Sequence, residues 1–450
     1  MNDSLSREGQ PIPEDRLGER ARVYGSEKAI LVSLQTHDRD LPSSLHELEL
    51  LADTAGISTL AHVTQKLVQP NPSYFIGKGK VTQLGRLAKE LDADVMIFDD
   101  ELSSAQARNL EEAIGKRIID RTQLIMDIFA QRATTKEAKL QVELAQLRYL
   151  LPRLRGWGGA LTRLGGGIGT RGPGETQLEL DRKKITVRIH TLERRLTKAQ
   201  AERSLQRKKR SASSLPQVAL VGYTNSGKST LLNRLCGSDA FVEDKLFATL
   251  STTFRRGELR PGRWALFIDT VGFIRALPHH LVPAFASTLE AARDADLILH
   301  IIDLSSDSPT AEYSAVQTTL EQQVFRSDGP RPPILNVLNK ADSRSTEDSH
   351  PPIHGVRISA KNGTNVDGLL RHISTLLEKD HVVARALIPY ESSYLLHRFS
   401  QSGIGSIRGH SAEGFEVDLF LPRKEIPQWR KAGIRIISCS SSRREGCSPS

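Results

Sequence analysis

The chain has 450 residues, 38% hydrophobic and 26% charged, with a formal net charge of +9. That length holds two or three ordinary domains, and no apolar run approaches the ~18 residues of a membrane span, so stable membrane insertion is not expected. Cys236, Cys439 and Cys447 are odd in number and widely scattered. They exclude a disulfide framework and a close thiolate metal site and point to a reducing, cytoplasmic compartment. The mild positive charge permits a nucleic-acid partner without requiring one.

Residues 1–26 mix acids, arginines and prolines, with neither a secretory apolar core nor the acid-poor character of an organelle presequence, and read as a disordered tail. Residues 27–133 alternate short β-branched runs with helical patterns. Strands are expected at Ala29–Leu34, Ser58–Gln65, Asp94–Asp99 and Arg117–Asp120, and helices at Ser43–Ala55, Val81–Leu91, Ser103–Ile114 and Thr122–Ala133, which together make a small open α/β sheet. Two readings stand for Gly77-Lys78-Gly79-Lys80: a helix N-terminus that holds a phosphate, or a tight turn with solvated lysines. Asp99-Asp100-Glu101 is read as a strand end before a helix N-terminus, where carboxylates favour the dipole, rather than as a metal site.

Residues 134–210 carry two helical seams. Leu140, Leu144, Leu147 and Leu151 form the first, which Pro152 ends, and Leu178, Ile185, Ile189, Leu192, Leu196 and Ala199 form the second. Two long helices are therefore expected to lie antiparallel as a projecting hairpin. Its tip, from Arg153 to Glu175, is too rich in glycine to bury a core, yet it interleaves Arg153, Arg155, Arg163 and Arg171 with Trp157. Arginines on a supple backbone beside one large ring suit phosphate contact and base stacking, so these five residues are candidate RNA contacts. In the second helix twelve cations from Arg182 to Arg210 face only Glu193 and Glu202 after the acidic first turn, an imbalance that an anionic partner would relieve.

Residues 215–380 hold five motifs in order. The first is the phosphate loop Gly222, Tyr223, Thr224, Asn225, Ser226, Gly227, Lys228 and Ser229 after an apolar strand. Its glycines admit backbone amides to phosphate oxygens, Lys228 reaches the β and γ phosphates, and Ser229 is a ligand for Mg²⁺. The second motif, Phe247, Ala248, Thr249, Leu250 and Ser251 followed by Thr252 and Thr253, offers a hydroxyl to complete the Mg²⁺ shell. Spacing does not choose among the three threonines; Thr249 is taken. In the third, Asp269, Thr270, Val271 and Gly272, the carboxylate holds a Mg²⁺-bound water and the Gly272 amide senses the γ-phosphate.

Asn339, Lys340, Ala341 and Asp342 then select the base. The Asp342 carboxylate matches guanine's ring N–H and amino group, whereas adenine would leave it unpaired, a mismatch worth ~10⁴-fold or more. Ser359, Ala360 and Lys361 supply further contacts to the same base. The expected substrate is GTP, Mg²⁺ is the cofactor, and Lys228, Thr249 and Gly272 are the candidates for catalysis. Position 273 is Phe where many signalling GTPases carry a water-orienting glutamine, so slow hydrolysis by the isolated protein is expected. Residues 381–450 read as a small α/β domain with a helix at Glu391–Gln401 and strands at Gly403–Arg408 and Gly414–Leu421.

Phe-Ala-Thr-Leu at 247–250, Asp-Thr-Val-Gly-Phe-Ile-Arg at 269–275, the run from Arg163 to Asp181 and Tyr-Phe-Ile-Gly-Lys-Gly-Lys at 74–80 resemble the HflX family of translational GTPases. The resemblance covers residues 27–380, with Ser251 where Asp is common, and matches the last 70 or so residues less clearly. It implies that Thr249 joins Ser229 on Mg²⁺. It also implies a partner in the large ribosomal subunit and its RNA, an amino-terminal part that reaches toward the peptidyl-transferase region, and dissociation of stalled or stress-arrested ribosomes. Some family members are described as unwinding RNA with ATP through the amino-terminal region. The resulting expectation is a monomeric, P-loop GTPase of α/β class. The alternatives are a ribosome-assembly GTPase and an RNA-remodelling protein that GTP regulates.

Overall fold

The computed structural model describes residues 27–35, 41–154, 177–210, 215–237, 246–247, 252–261, 263–275, 286–325, 331–343, 352–377, 381–396, 405–422 and 426–440. The chain divides into two compact units, Met1–Leu192 and Glu193–Ser450.

In the first unit β1 (Lys28–Gln35), α1 (Leu41–Thr54), β2 (Ser58–Lys66), α2 (Lys78–Glu90), β3 (Val95–Phe98), α3 (Ser104–Ile114), β4 (Arg117–Asp120) and α4 (Arg121–Arg132) alternate strictly. The strands form a parallel sheet in the order β2-β1-β3-β4. Central β1 is buried from Ala29 to Leu34 and β3 throughout, as helices on both faces of a parallel sheet require, whereas edge strand β2 alternates exposed and half-buried positions. Local chemistry sets the helix limits. Ser103 and Gln106 form a reciprocal capping box on α3, which Gly115 ends in the left-handed conformation at φ 72°, and Asp120 caps α4 through the Gln123 amide.

α5 (Lys136–Arg153) corrects the expected projecting hairpin. It buries Ala138, Gln141, Val142, Leu144, Ala145, Leu147 and Tyr149, a stripe much wider than a two-helix seam, and it packs on α4. The first arm thus packs on the last helix of the amino-terminal domain. Leu140 and Leu151, expected in the seam, are only half-buried, and Pro152 lies inside the last turn rather than before it. α6 (Gln177–Arg210) buries Ile189, Leu192 and Leu196, and Arg188 reaches Glu143 on α5 through Nε at 2.6 Å and a second guanidinium nitrogen at 3.0 Å. Glu143 and Arg188 are nearly equidistant in sequence from residues 155–176, as antiparallel arms demand.

The second unit contains β5 (Gln217–Gly222), α7 (Lys228–Cys236), β6 (Thr253–Arg260), β7 (Arg263–Asp269), α8 (Ala286–Arg293), β8 (Leu297–Asp303), α9 (Pro309–Thr319), β9 (Ile334–Asn339), β10 (Val356–Arg357) and α10 (Val366–Leu377). Their sheet runs β10-β9-β8-β5-β7-β6, parallel except for β6. The chain leaves β5 toward β7 on one side and returns to β8 on the other. A crevice therefore opens beyond the carboxyl end of β5, the usual ligand position in such sheets.

The last domain is an antiparallel sheet, β12-β13-β11-β14, made of β11 (His381–Pro389), β12 (Gly405–Ser411), β13 (Gly414–Pro422) and β14 (Arg435–Ser440), with α11 (Ile426–Lys431) over one face. Trp429 packs there on Ala386, Ile388, Val417 and Leu419, while Phe420 joins the core of the preceding domain. The expected strands at 403–408 and 414–421 correspond to β12 and β13, but β11 and β14 were not foreseen. The expected helix at Glu391–Gln401 begins instead as a 3₁₀ turn, Tyr390–Ser392, with a helical continuation over 394–396; positions 397–401 lie outside the described residues.

Candidate active site

β5 is buried from Val218 onward and delivers the chain to Gly222 beneath the crevice. A Cβ on Gly222 would strike the Ile301 carbonyl on β8, and one on Gly227 would strike the Asn339 amide nitrogen. Gly227 has φ 88°, and Asn225, one of the few residues that tolerate this region, has φ 60°. Close approach demands both glycines, and backbone angle demands Gly227 as well.

Lys228 opens α7 and is 7% exposed. Its Nζ donates to the carbonyls of Gly222 at 3.2 Å and Tyr223 at 2.6 Å. Burial lowers its pKa to about 8, against the opposing pull of Asp269. The Ser229 hydroxyl donates to Asp269 Oδ2 at 2.7 Å, and Thr270 fixes the end of β7 by donating from its hydroxyl to Leu220 O at 2.5 Å. A hydroxyl against a buried carboxylate is a set of hard oxygen donors, and it fits Mg²⁺.

Gly272 is held against the phosphate loop. A Cβ there would lie 2.8 Å from Thr224 Cα and 3.0 Å from Lys228 Nζ. The next residue pairs with the loop through its backbone: Phe273 N–H donates to Gly222 O at 3.1 Å and Thr224 N–H donates to Phe273 O at 2.8 Å. The Arg275 amide donates to the Tyr223 hydroxyl at 2.7 Å. Phe273 itself is 2% exposed, a core side chain rather than a polar one facing the crevice.

On the base side Asn339 acts as a staple. Its amide nitrogen donates to Ser226 O at 2.9 Å and its oxygen accepts from the Ala360 amide at 3.0 Å. The Ala360 N–H is thereby engaged in tying the two loops together. Lys340 takes φ 60° and pairs with Asp303 at 2.7 Å, while Ala341 N–H donates to Ile358 O at 3.1 Å. Exposed Asp342 accepts a hydrogen bond from Ser359, which with its own backbone amide keeps the carboxyl below its usual pKa and ionised at neutral pH.

Two residues of this site escaped sequence reasoning. Asp303 holds Lys340 and accepts from the amide and hydroxyl of Ser305; its signal was an acid at the carboxyl end of the apolar run Leu297–Ile302. Arg234 donates to the carbonyls of Ala360 at 3.3 Å and Lys361 at 2.6 Å, and had no local signal.

Of the expected switch residues, Phe247 is buried with φ 55°, whereas Ala248, Thr249, Leu250 and Ser251 lie outside the described residues. Val271 is buried beside Gly272. Arg153 does not stand free as expected: its guanidinium donates to Asp120 at 2.8 Å and to Leu102 O at 2.6 Å and lies over the Tyr149 ring. Arg155, Trp157, Arg163 and Arg171 fall outside the described residues. The Gly77 amide, at the start of Gly-Lys-Gly-Lys, donates to Gln65 at 2.9 Å. Asp99 is buried among Ser33, Ser44 and Arg121. Among the described residues no cluster of His, Cys, Asp and Glu is arranged to hold a metal on its own, and no helix is long and apolar enough to cross a membrane.

The chain is 49% identical to a GTPase HflX of Caldanaerobacter subterraneus subsp. tengcongensis, over 82% of this chain and 84% of that protein. It is 43% identical to GTPase HflX of Escherichia coli over 84% of this chain and 90% of the relative. Three family descriptions also match in succession: GTP-binding GTPase N-terminal at 42–130, GTP-binding GTPase Middle Region at 132–210 and 50S ribosome-binding GTPase at 217–340. The chain belongs to the GTPase HflX family. This HflX chain is accordingly a GTP-hydrolysing enzyme.

Proposed function

We propose that this HflX protein binds the large ribosomal subunit and, coupled to GTP binding and hydrolysis, dissociates stalled or stress-arrested ribosomes in the cytoplasm. Ser229 and Thr249 would ligate Mg²⁺, which when bound neutralises phosphate charge. Lys228 and the Gly272 amide would contact the γ-phosphate, and Asp342 would select guanine. The observation that carries the ribosomal reading is α6, where Lys183, Lys184, Arg194, Arg195 and Lys198 are all exposed on one long helix of the region next to the nucleotide domain. Such a basic face suits the phosphates of folded RNA.

Arg155, Trp157, Arg163 and Arg171 would extend that face to ribosomal RNA, with Arg153 acting as the root that ties α5 to Asp120. The protein would act as a monomer. Sedimentation of intact ribosomes with the protein and GTP tests the reading. Free subunits should accumulate with GTP and not with GDP. Ribosomes that stay whole would refute splitting, and binding confined to precursor subunits would instead favour assembly. RNA unwinding without ribosome-stimulated GTP hydrolysis would favour a remodelling protein.

A further inference from the structure

Phe273 leaves this GTPase without an amide to orient the attacking water, and its ring is buried in the core. A polar side chain lies next to it in the structure, on the residue whose amide pairs with the Phe273 carbonyl. Thr224, in the phosphate loop, is 6% exposed, and its hydroxyl oxygen is buried with no hydrogen-bond partner. Natural proteins keep few such groups, because a buried hydroxyl without a partner loses its bonds to water and gains none.

The position of Thr224 is fixed from two sides. Its amide donates to Phe273 O, and its Cα and Cγ2 both lie 2.8 Å from where a Gly272 Cβ would stand, a point 3.0 Å from Lys228 Nζ. Thr224, Gly272 and Lys228 therefore converge on one spot, bordered by the two groups whose chemistry addresses the γ-phosphate. A rotation of one third of a turn about χ1 carries a threonine hydroxyl to the place its methyl occupied, so the hydroxyl can reach that spot without backbone movement. Ser226 Oγ is also unpartnered, but it lies beside Gly222 on the inner side of the loop and is fully buried.

We propose that the Thr224 hydroxyl is a catalytic group of the GTPase reaction, donating a hydrogen bond to the γ-phosphoryl oxygens as charge redistributes in the transition state. Water attacks the γ-phosphorus, the bond to the β–γ bridging oxygen breaks, GDP leaves with that electron pair, and the water protons pass to the phosphate product and solvent. Thr224 transfers no proton. Its contribution is greatest in the transition state, so it raises turnover more than it raises ground-state affinity.

Thr224→Val removes the hydroxyl and keeps the shape, whereas Thr224→Ser keeps the hydroxyl. In the full-length protein, single-turnover GTP hydrolysis should fall about tenfold or more in Thr224→Val and stay within about threefold of wild type in Thr224→Ser. Affinity for GDP with aluminium fluoride, a mimic of the transferring phosphoryl group, should drop in the valine variant far more than affinity for GDP alone. Thermal melting checks that both variants fold, and Thr224→Ala replaces the valine variant if that one does not. Wild-type hydrolysis by the valine or alanine variant would overturn the proposal. So would a serine variant as slow as valine, which would assign the effect to packing of the methyl group.

Discussion

The two mainly parallel sheets of this protein carry polar residues at the same place, the carboxyl ends of their strands, and treat them in opposite ways. In the amino-terminal sheet Asp99 accepts from Ser33 at 3.1 Å, Ser44 at 2.6 Å and Arg121 at 2.7 Å, and Arg121 also reaches Glu47 at 2.7 Å. Asp120 likewise accepts from the Leu102 and Gln123 amides, the Tyr149 hydroxyl and Arg153. The site is completed by the chain itself. In the nucleotide domain Lys228 is turned onto main-chain carbonyls and Thr224 has a hydroxyl without a partner. An edge whose charges are satisfied internally stabilises the fold, whereas an edge that leaves donors for phosphate binds substrate.

That contrast predicts opposite consequences for loss of a cation. Lys228→Ala should reduce GTP hydrolysis by on the order of 10²–10³-fold while changing the melting temperature little, since it removes the ammonium that would reach phosphate and leaves two loop carbonyls at the crevice. A folded variant that turns over at the wild-type rate would remove the phosphate loop from the mechanism. Arg121→Met should do the reverse. Leaving the buried Asp99 and Glu47 carboxylates without the Arg121 charge costs about 3–5 kcal/mol, visible in denaturant unfolding of the first unit, with basal GTP hydrolysis retained.

Two smaller effects sharpen the comparison within the nucleotide domain. Asp303→Asn weakens the anchor of Lys340, which is partly exposed, and should lower guanine-nucleotide affinity by about tenfold or less; a competition titration reads it. The pH dependence follows from Lys228, whose pKa burial lowers to about 8. Nucleotide phosphate favours the charged form, so binding takes up a proton above that pH. GTP affinity should be level with respect to this group below pH 8 and fall by up to roughly tenfold per unit above it, when measured with Mg²⁺ held constant. Fold stability has the opposite sign: the unfolded chain binds the extra proton between pH 8 and the ordinary lysine range, so this group makes stability rise with pH there.

Much of this was legible in the sequence wherever a local pattern had one physical solution. β1 and β3 announce themselves as apolar runs with polar flanks, and Gly222 to Ser229 as a phosphate cradle. What the sequence concealed depends on distant partners. α5 looked like one arm of a free hairpin because its leucines keep heptad spacing, but Ala138, Val142, Ala145 and Tyr149 widen the buried stripe and bring it onto α4. Arg153 looked like an RNA contact because its neighbours in sequence are arginines and glycines; Asp120 claims it from 33 positions away. Asp303 and Arg234 were missed for the same reason, since Lys340, which Asp303 holds, and the 360–361 carbonyls, which Arg234 holds, come much later in the chain.

Amide hydrogen exchange of the full-length chain, with and without guanine or adenine nucleotide and Mg²⁺, tests the contrast between the two sheets most directly. The account predicts that GTP protects 222–229, 269–273, 339–342 and 359–361, while the strand ends at 97–100 and 118–121 exchange at the same rate with either nucleotide. Protection of those amino-terminal strand ends by ATP or GTP, at the nucleotide concentration that saturates the phosphate loop or below it, would show that the polar edge built on Asp99 and Asp120 is a second ligand site and would contradict the account.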